Sequence, residues 1–401
     1  MVWAPRMTRH RAWGLAAALV CLTGCAPVTF PIHEGGVNNP ASGVSPSVPV
    51  QLDINPNVWF DVATQGETRH LMTRVIEESH LNPSHRILVI QEDSPLGRAI
   101  ADSNCPSFPH GPFATVWEKP LSQTCNQETG IVTSTMVSFP ALHAHIVLVR
   151  PSNDAQNMFG LTAFSSNIPV SISKDVLLYL NALTLGHELG HLDKTVLDPK
   201  TAPGVIATIL QKDAPQALQH FLDRSPSDNE APSDARALQI ARKVAPDLSH
   251  RFEDAWRAAR AVDALLDPNP EAHIVTAFMP QNLGTSDHLS FPTPEEANAA
   301  LNRIRGNLKN YFDKNGLPLK GEQVLLNATR AFQEMVATHA FAADSWETRF
   351  LTNWTQGLLV GQNADGIPQI AFKNLGPPGW TQSPRLAAAG APAQKGAGRS
   401  P

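Results

Sequence analysis

The feature that most constrains this chain lies near its middle. From about Lys174 to Val196 an apolar stripe at helical spacing runs straight into two histidines. Val176, Leu180 and Leu183 recur every three or four residues, and His187 and His191 continue the series. Residues i and i+4 share one face of a helix, so both imidazoles project from the face that the stripe marks as buried. Ser173 can cap this helix, Asp175 suits its positive end and Pro199 stands beyond its finish. Two buried imidazoles need polar partners, and a metal ion satisfies both at once. Glu188 lies between them, rotated about 100° from His187, where a carboxylate can take a proton from a metal-activated water. His187-Glu188-Leu189-Gly190-His191 therefore reads as an HExxH site for Zn2+, an ion that suits nitrogen and oxygen ligands and needs no redox change.

A catalytic zinc takes three protein ligands and one water, so a third donor must come from elsewhere. By chemistry and distance along the chain His220 and Asp223 qualify, and Asp193 does so less well, being rotated about 200° from His191. Farther on stands Asn229-Glu230-Ala231-Pro232-Ser233-Asp234. Together with the first motif this segment resembles the gluzincin metallopeptidases, whose second motif reads NExxSD or ExxxD. Lys194 and Leu197 occupy the places where the metzincin class would need Gly and His. The gluzincin resemblance covers about 50 residues. It implies a zincin-like fold, Glu230 as third ligand, Asp234 hydrogen-bonded to a ligand histidine, and hydrolysis of peptide or protein substrates with Glu188 as base. The plainer reading of the segment is an acidic helix start, since Asp228, Glu230 and Asp234 all suit a positive N-terminus. His288, in the loop Ser286 to Pro292, loosely resembles a downstream His-Pro element of membrane-associated gluzincins. That likeness makes it a candidate oxyanion donor beside the alternative of a surface histidine. A rival for the whole chain is a non-catalytic zinc-binding envelope lipoprotein with a zincin-like fold. The intact Glu188 speaks against it, because a purely structural zinc site needs no base.

The first residues carry a second signal. Arg6, Arg9 and Arg11 precede an apolar run from Ala12 to Leu22, too short to span a bilayer and the right length for a secretory signal. Leu22-Thr23-Gly24-Cys25 follows and resembles a bacterial lipobox. The resemblance implies a signal peptide over 1–24, cleavage before Cys25 and lipid on that cysteine. With Ala26 next, it also implies sorting to the periplasmic face of the outer membrane. Cleavage would take the net charge from −5 to −8. Residues 25–50, rich in Pro, Gly, Ser and Asn, read as a flexible tether. Cys105 and Cys125 remain, an even pair in an exported chain, which predicts a disulfide.

The rest of the sequence supplies the frame. A helix is expected around Glu67–His80, a strand at Arg86–Gln91, a loop from Asp102 to Gln127, and strands at Gly130–Phe139 and His143–Arg150. The last of these is the candidate to pair with an extended substrate. After the central helix, helical patterns cover 203–222, Asn229–Lys243, 248–266, 294–312 and 321–360. Strands mainly before the HExxH helix and helices mainly after it make an α+β fold, a zincin-like domain over 51–375, with a disordered Pro- and Ala-rich tail over 376–401. The acidic balance, with no basic block beyond the N-terminus, excludes a nucleic-acid partner.

Overall fold

In a computed structural model, residues 49–52, 55–61, 66–81, 84–91, 94–101, 110–125, 136–139, 143–149, 168–192, 227–266, 274–283, 289–313, 319 and 322–383 are described. The architecture is α+β. Five strands form one sheet: β1 (Val50–Leu52), β2 (Asn55–Phe60), β3 (Arg86–Gln91), β4 (Met136–Phe139) and β5 (Ala144–Val149), in the order β1-β2-β3-β5-β4. β2, β3 and β5 run parallel, while β1 and β4 lie antiparallel on the two edges. The middles of the parallel strands are apolar runs, as strands covered on both faces require: Ile87, Leu88, Val89 and Ile90 are all fully buried.

Each face has its own cover. Val58, Phe60, Ile87, Val89, Val147 and Val149 pack against helix α1 (Gly66–Glu78) and against Ala182, Leu185 and Leu189 of α4 (Lys174–Leu192). Trp59, Leu88, Ile90, Ile146 and Leu148 pack against α2 (Pro95–Ala101) and α3 (Pro112–Cys125). Helix α3 corrects the expectation of a loop over 102–127. Its prolines read as breakers, yet Pro112 opens the helix, where a missing N–H costs nothing. Phe113, Trp117 and Leu121 then recur at four-residue spacing and are buried.

Beyond α4 the chain is mostly helical: α5 (Ser227–Val244), α6 (Pro246–Leu266), a 3-10 turn (Val275–Phe278), α7 (Pro294–Asn307), α8 (Glu322–Ala337) and α9 (Trp346–Gly357). Their shared core includes Leu180 and Leu183 of α4 with Phe252, Phe278, Phe332, Phe350 and Trp354. The single helix expected over 321–360 is two helices and a strand. His339 takes a left-handed φ of 52° after α8, and Ser345 caps α9 by accepting a hydrogen bond from the Thr348 N–H at 3.2 Å. A small antiparallel sheet follows, order β7-β6-β8, from β6 (Leu358–Gln362), β7 (Pro368–Phe372) and β8 (Thr381–Gln382). β8 lies past 375, inside the stretch read as a tail.

β5 is paired on both sides, with β3 and with β4, so its backbone groups are committed to the ladder. The expectation that His143–Arg150 offers a free edge is thereby corrected. Among the described residues, β4 is the edge of that half of the sheet. Among the described residues no helix is long and apolar enough to cross a membrane. Cys25, Cys105, His220, Asp223, Asp193 and His288 lie outside the described residues, and Cys125 is the last residue of α3.

Candidate metal centre

Helix α4 is sandwiched between the sheet and the helical half, so it is covered almost all round rather than on one face. Every residue from Thr184 to Gly190 is buried. Ser173 caps its start, its Oγ accepting from the Val176 N–H at 3.4 Å. What brings a second helix to the motif is a seam of small residues. Gly186 and Gly190 face Ala237 and Ser233 of α5. A Cβ on Gly186 would stand 3.2 Å from the Ala237 Cα, and one on Gly190 would stand 3.0 Å from the Ser233 Cα. With no side chains between them the two backbones approach closely, and the first turns of α5 lie directly against the histidines.

The site follows from that approach. His187 Nε2 is 3.1 Å from Glu230 Oε2 and 3.1 Å from His191 Nε2, and His191 Nε2 is 3.8 Å from Glu230 Oε1. His187, His191 and Glu230 each offer one ligand atom, all within 4.8 Å of one another, and form a group that could hold a metal ion. Glu230 is 1% exposed and His187 5%, while His191 is partly open to solvent. Glu188 is buried at 3% exposure on the same helix.

The outer ring nitrogens are also held. His187 Nδ1 lies 2.7 Å from Asp234 Oδ1, and His191 Nδ1 lies 3.1 Å from Ser233 Oγ. Asp234 is fully buried and receives two bonds from the Arg260 guanidinium, at 2.8 and 3.0 Å. Burial alone would raise its carboxyl. The Arg260 charge and then His187 outweigh burial and hold it well below the usual carboxylate range. Asp234 is thus an ionised acceptor, which assigns the His187 proton to Nδ1 and leaves a lone pair on Nε2.

That assignment tests the fit of a metal. His187 Nε2 and a Glu230 carboxyl oxygen stand 3.1 Å apart, both able to donate an electron pair to one cation. For a divalent ion with bonds of about 2.0–2.2 Å in a tetrahedral set, ligand atoms stand about 3.3–3.5 Å apart. The observed 3.1, 3.1 and 3.8 Å bracket that spacing. The residues present fit a metal of that class.

Sequence reasoning brought His187, His191 and Glu230 to one place, and put Asp234 on one of the two histidines. It passed over two contributors. Arg260 sits on a third helix with nothing in its local sequence to connect it with Asp234. The glycine seam was legible in principle, since Gly186 and Gly190 are spaced four apart, as are Ser233 and Ala237. Pro232 falls in the second turn of α5, which starts at Ser227. No family model matches the chain, and no curated protein or solved structure does so either.

Proposed function

We propose that this chain is a zinc-dependent endopeptidase of the gluzincin type acting on peptide or protein substrates in the cell envelope. The observation that carries the reading is the convergence of His187 Nε2, His191 Nε2 and the Glu230 carboxylate beside a buried Glu188. Two histidines and one carboxylate are the donor set of a catalytic rather than a structural zinc site, which more often uses four protein ligands. Zinc, when bound, supplies Lewis acidity to a water and to the scissile carbonyl. Glu188 accepts a proton from the attacking water as its oxygen bonds to the carbonyl carbon, then gives that proton to the nitrogen as the C–N bond breaks. The products are a carboxylic acid and an amine, and the carboxylate is restored. Arg260 and Asp234 fix the tautomer and orientation of His187, and Ser233 orients His191. An extended substrate adds to the sheet at β4, whose partner β5 lies on one side only.

Location belongs to the same proposal. Lipid on Cys25 tethers the domain to the periplasmic face of the outer membrane, and a Cys105–Cys125 bond forms in that oxidising space. Cys25→Ser should lose detergent-phase partitioning and the lipid-adduct mass; unchanged membrane association would sink the anchor. The catalytic reading is tested by digesting a peptide library with wild type and with Glu188→Gln, both zinc-loaded. Wild type should cleave, and Glu188→Gln should be slower by about 10²–10⁴-fold or more with its zinc retained. No cleavage by the zinc-loaded wild type would favour the non-catalytic rival.

A further inference from the structure

We propose a binding site for a small oxyanion, a carboxylate or phosphate group on a diffusible molecule, in a cavity where the end of α5 and the start of α6 meet the chain beyond β7. The cavity measures about 470 Å3, within the range of small-molecule sites. Separate segments line it: Arg242 near the end of α5, residues of α6 between Ser249 and Arg257, Gln281 after the 3-10 turn, and Lys373 beyond β7. Hydrogen bonds tie these walls together. The Lys373 N–H donates to the Gly357 carbonyl at 2.7 Å. Asn374, at a left-handed φ of 64°, donates from its side-chain amide to the Arg251 carbonyl at 2.6 Å. His250, Arg251 and Asn374 are exposed and open the cavity to solvent.

The charge of the lining selects the ligand. Arg242, Arg251, Arg257 and Lys373 stand against only two lining carboxylates, Glu253 and Asp254. Glu253 is shared: Arg242 donates to both of its oxygens, at 2.8 and 2.5 Å, and Arg257 pairs with the same carboxylate. Two guanidinium charges thus lean on one carboxylate, and Arg257 is only 3% exposed. Burial lowers the Arg257 guanidinium; Glu253 opposes that and Arg242 adds to it. A further anion would offset both burial and the repulsion between the arginines. Asp254 is taken by Lys373 at 2.5 Å. Arg251 pairs with Asp175 of α4, but both are about half exposed, and an exposed pair of that kind contributes little and yields to a competing ligand. Two buried donors of the lining also lack a partner among the described residues: the Ser249 hydroxyl and the Arg257 Nε–H. Buried donors left unpaired are costly, and both call for an acceptor. Surplus positive charge in a recess and unmet donors point to the same ligand, an anion with several oxygens. The site is distinct from the metal centre, since Arg242 and Glu230 lie about 18 Å apart along α5 at roughly 1.5 Å per residue.

The test is calorimetric titration of the full, zinc-loaded chain with sodium phosphate and, separately, with sodium succinate, at ionic strength held constant with chloride. Wild type should bind one equivalent of at least one of them with a Kd of about 1 mM or tighter. Binding of phosphate alone assigns a phosphate ligand, binding of succinate alone a carboxylate, and binding of both an oxyanion of either kind. Arg251→Gln/Lys373→Gln changes two partly exposed side chains and should weaken that binding by about tenfold or more. His191→Ala should bind the anion within about threefold of wild type, because the metal centre is separate. Binding of neither anion by wild type overturns the proposal, as does unchanged affinity in the double variant. Loss of binding in His191→Ala with retention in the double variant assigns the anion to the metal centre, which overturns this site and leaves the zinc reading standing. If the double variant does not fold, Ser249→Ala decides: it should weaken binding by about fivefold or more, and unchanged affinity overturns the proposal.

Discussion

Helix α4 meets its two neighbours in opposite ways. Toward the sheet it presents Ala182, Leu185 and Leu189, ordinary apolar side chains that interlock with Val147, Val149 and α1. Toward α5 it presents Gly186 and Gly190, where side chains are absent and backbones nearly touch. The sheet face holds the helix in the molecule. The glycine face holds α5 against the helix, and with it Glu230, Ser233 and Asp234. Packing on the sheet and the group that could hold a metal ion are thus divided between two sides of one helix. Damage on one side should leave the other's property largely intact.

The strongest way to break this division is to remove the ligand that crosses the seam. Glu230→Ala should lose stoichiometric zinc, because two histidines alone make an incomplete site. His220→Ala and Asp223→Ala should keep it. Metal analysis after dialysis against a weak chelator decides between them. Zinc retained in Glu230→Ala but lost in either of the others would leave the HExxH site in place and refute the gluzincin assignment.

Next in size is a matched pair on α4. Leu185 is fully buried, and Leu185→Ala should cost about 2–5 kcal/mol of stability, from lost burial and the cavity left behind. Its zinc affinity should move by less than about threefold, since Leu185 offers no donor and shares its cluster with Ile240 and Val244 at the far end of α5 rather than with Glu230. Gly190→Val places a branched side chain against the Ser233 backbone, where even a Cβ would stand at 3.0 Å. Such overpacking costs about 1–3 kcal/mol, and prying α5 away should weaken zinc binding by about tenfold or more. Urea unfolding of the zinc-free variants, with competition titration of zinc on each, gives both numbers. Equal losses of affinity in the two variants would show that the faces are not separable.

The same two faces differ in how far sequence reveals them. The sheet side was legible because burial leaves a periodic trace: Ile87 to Ile90 read as a buried strand, and Val176, Leu180 and Leu183 as a helix. The candidate ligands were legible because metal chemistry restricts residue type and spacing, as in His187, His191 and the Glu230 segment. Helix α3 was missed because Pro112 and Pro120 carry a loop signature that tertiary packing of Phe113 and Trp117 overrides. The edge position of β4 was missed because strand order depends on pairing between distant segments, which no local pattern records. Arg260 was missed for a similar reason. Its partner Asp234 lies 26 residues earlier on another helix, and only the packing of α5 on α6 makes them neighbours.

The smallest expected effect lies within the seam, between the two residues that hold the ligand histidines from behind. Asp234 is ionised, gives His187 a charged partner at 2.7 Å and is itself clamped by Arg260. Ser233 gives His191 a neutral hydroxyl at 3.1 Å. A charged acceptor raises the basicity of a ligand imidazole more than a hydroxyl can, and it fixes the tautomer as well. Loss of a partner of this kind costs about 10–100-fold in metal affinity. Asp234→Asn should fall at the upper end of that range, and also in stability, because Arg260 loses its buried counter-charge. Ser233→Ala should fall at the lower end, about tenfold, with stability almost unchanged, since alanine suits a helix and removes only one small polar atom. Competition titration of zinc against a chelator of known affinity measures both. A larger loss of affinity in Ser233→Ala than in Asp234→Asn would mean that the hydroxyl, not the carboxylate, sets the geometry of the site.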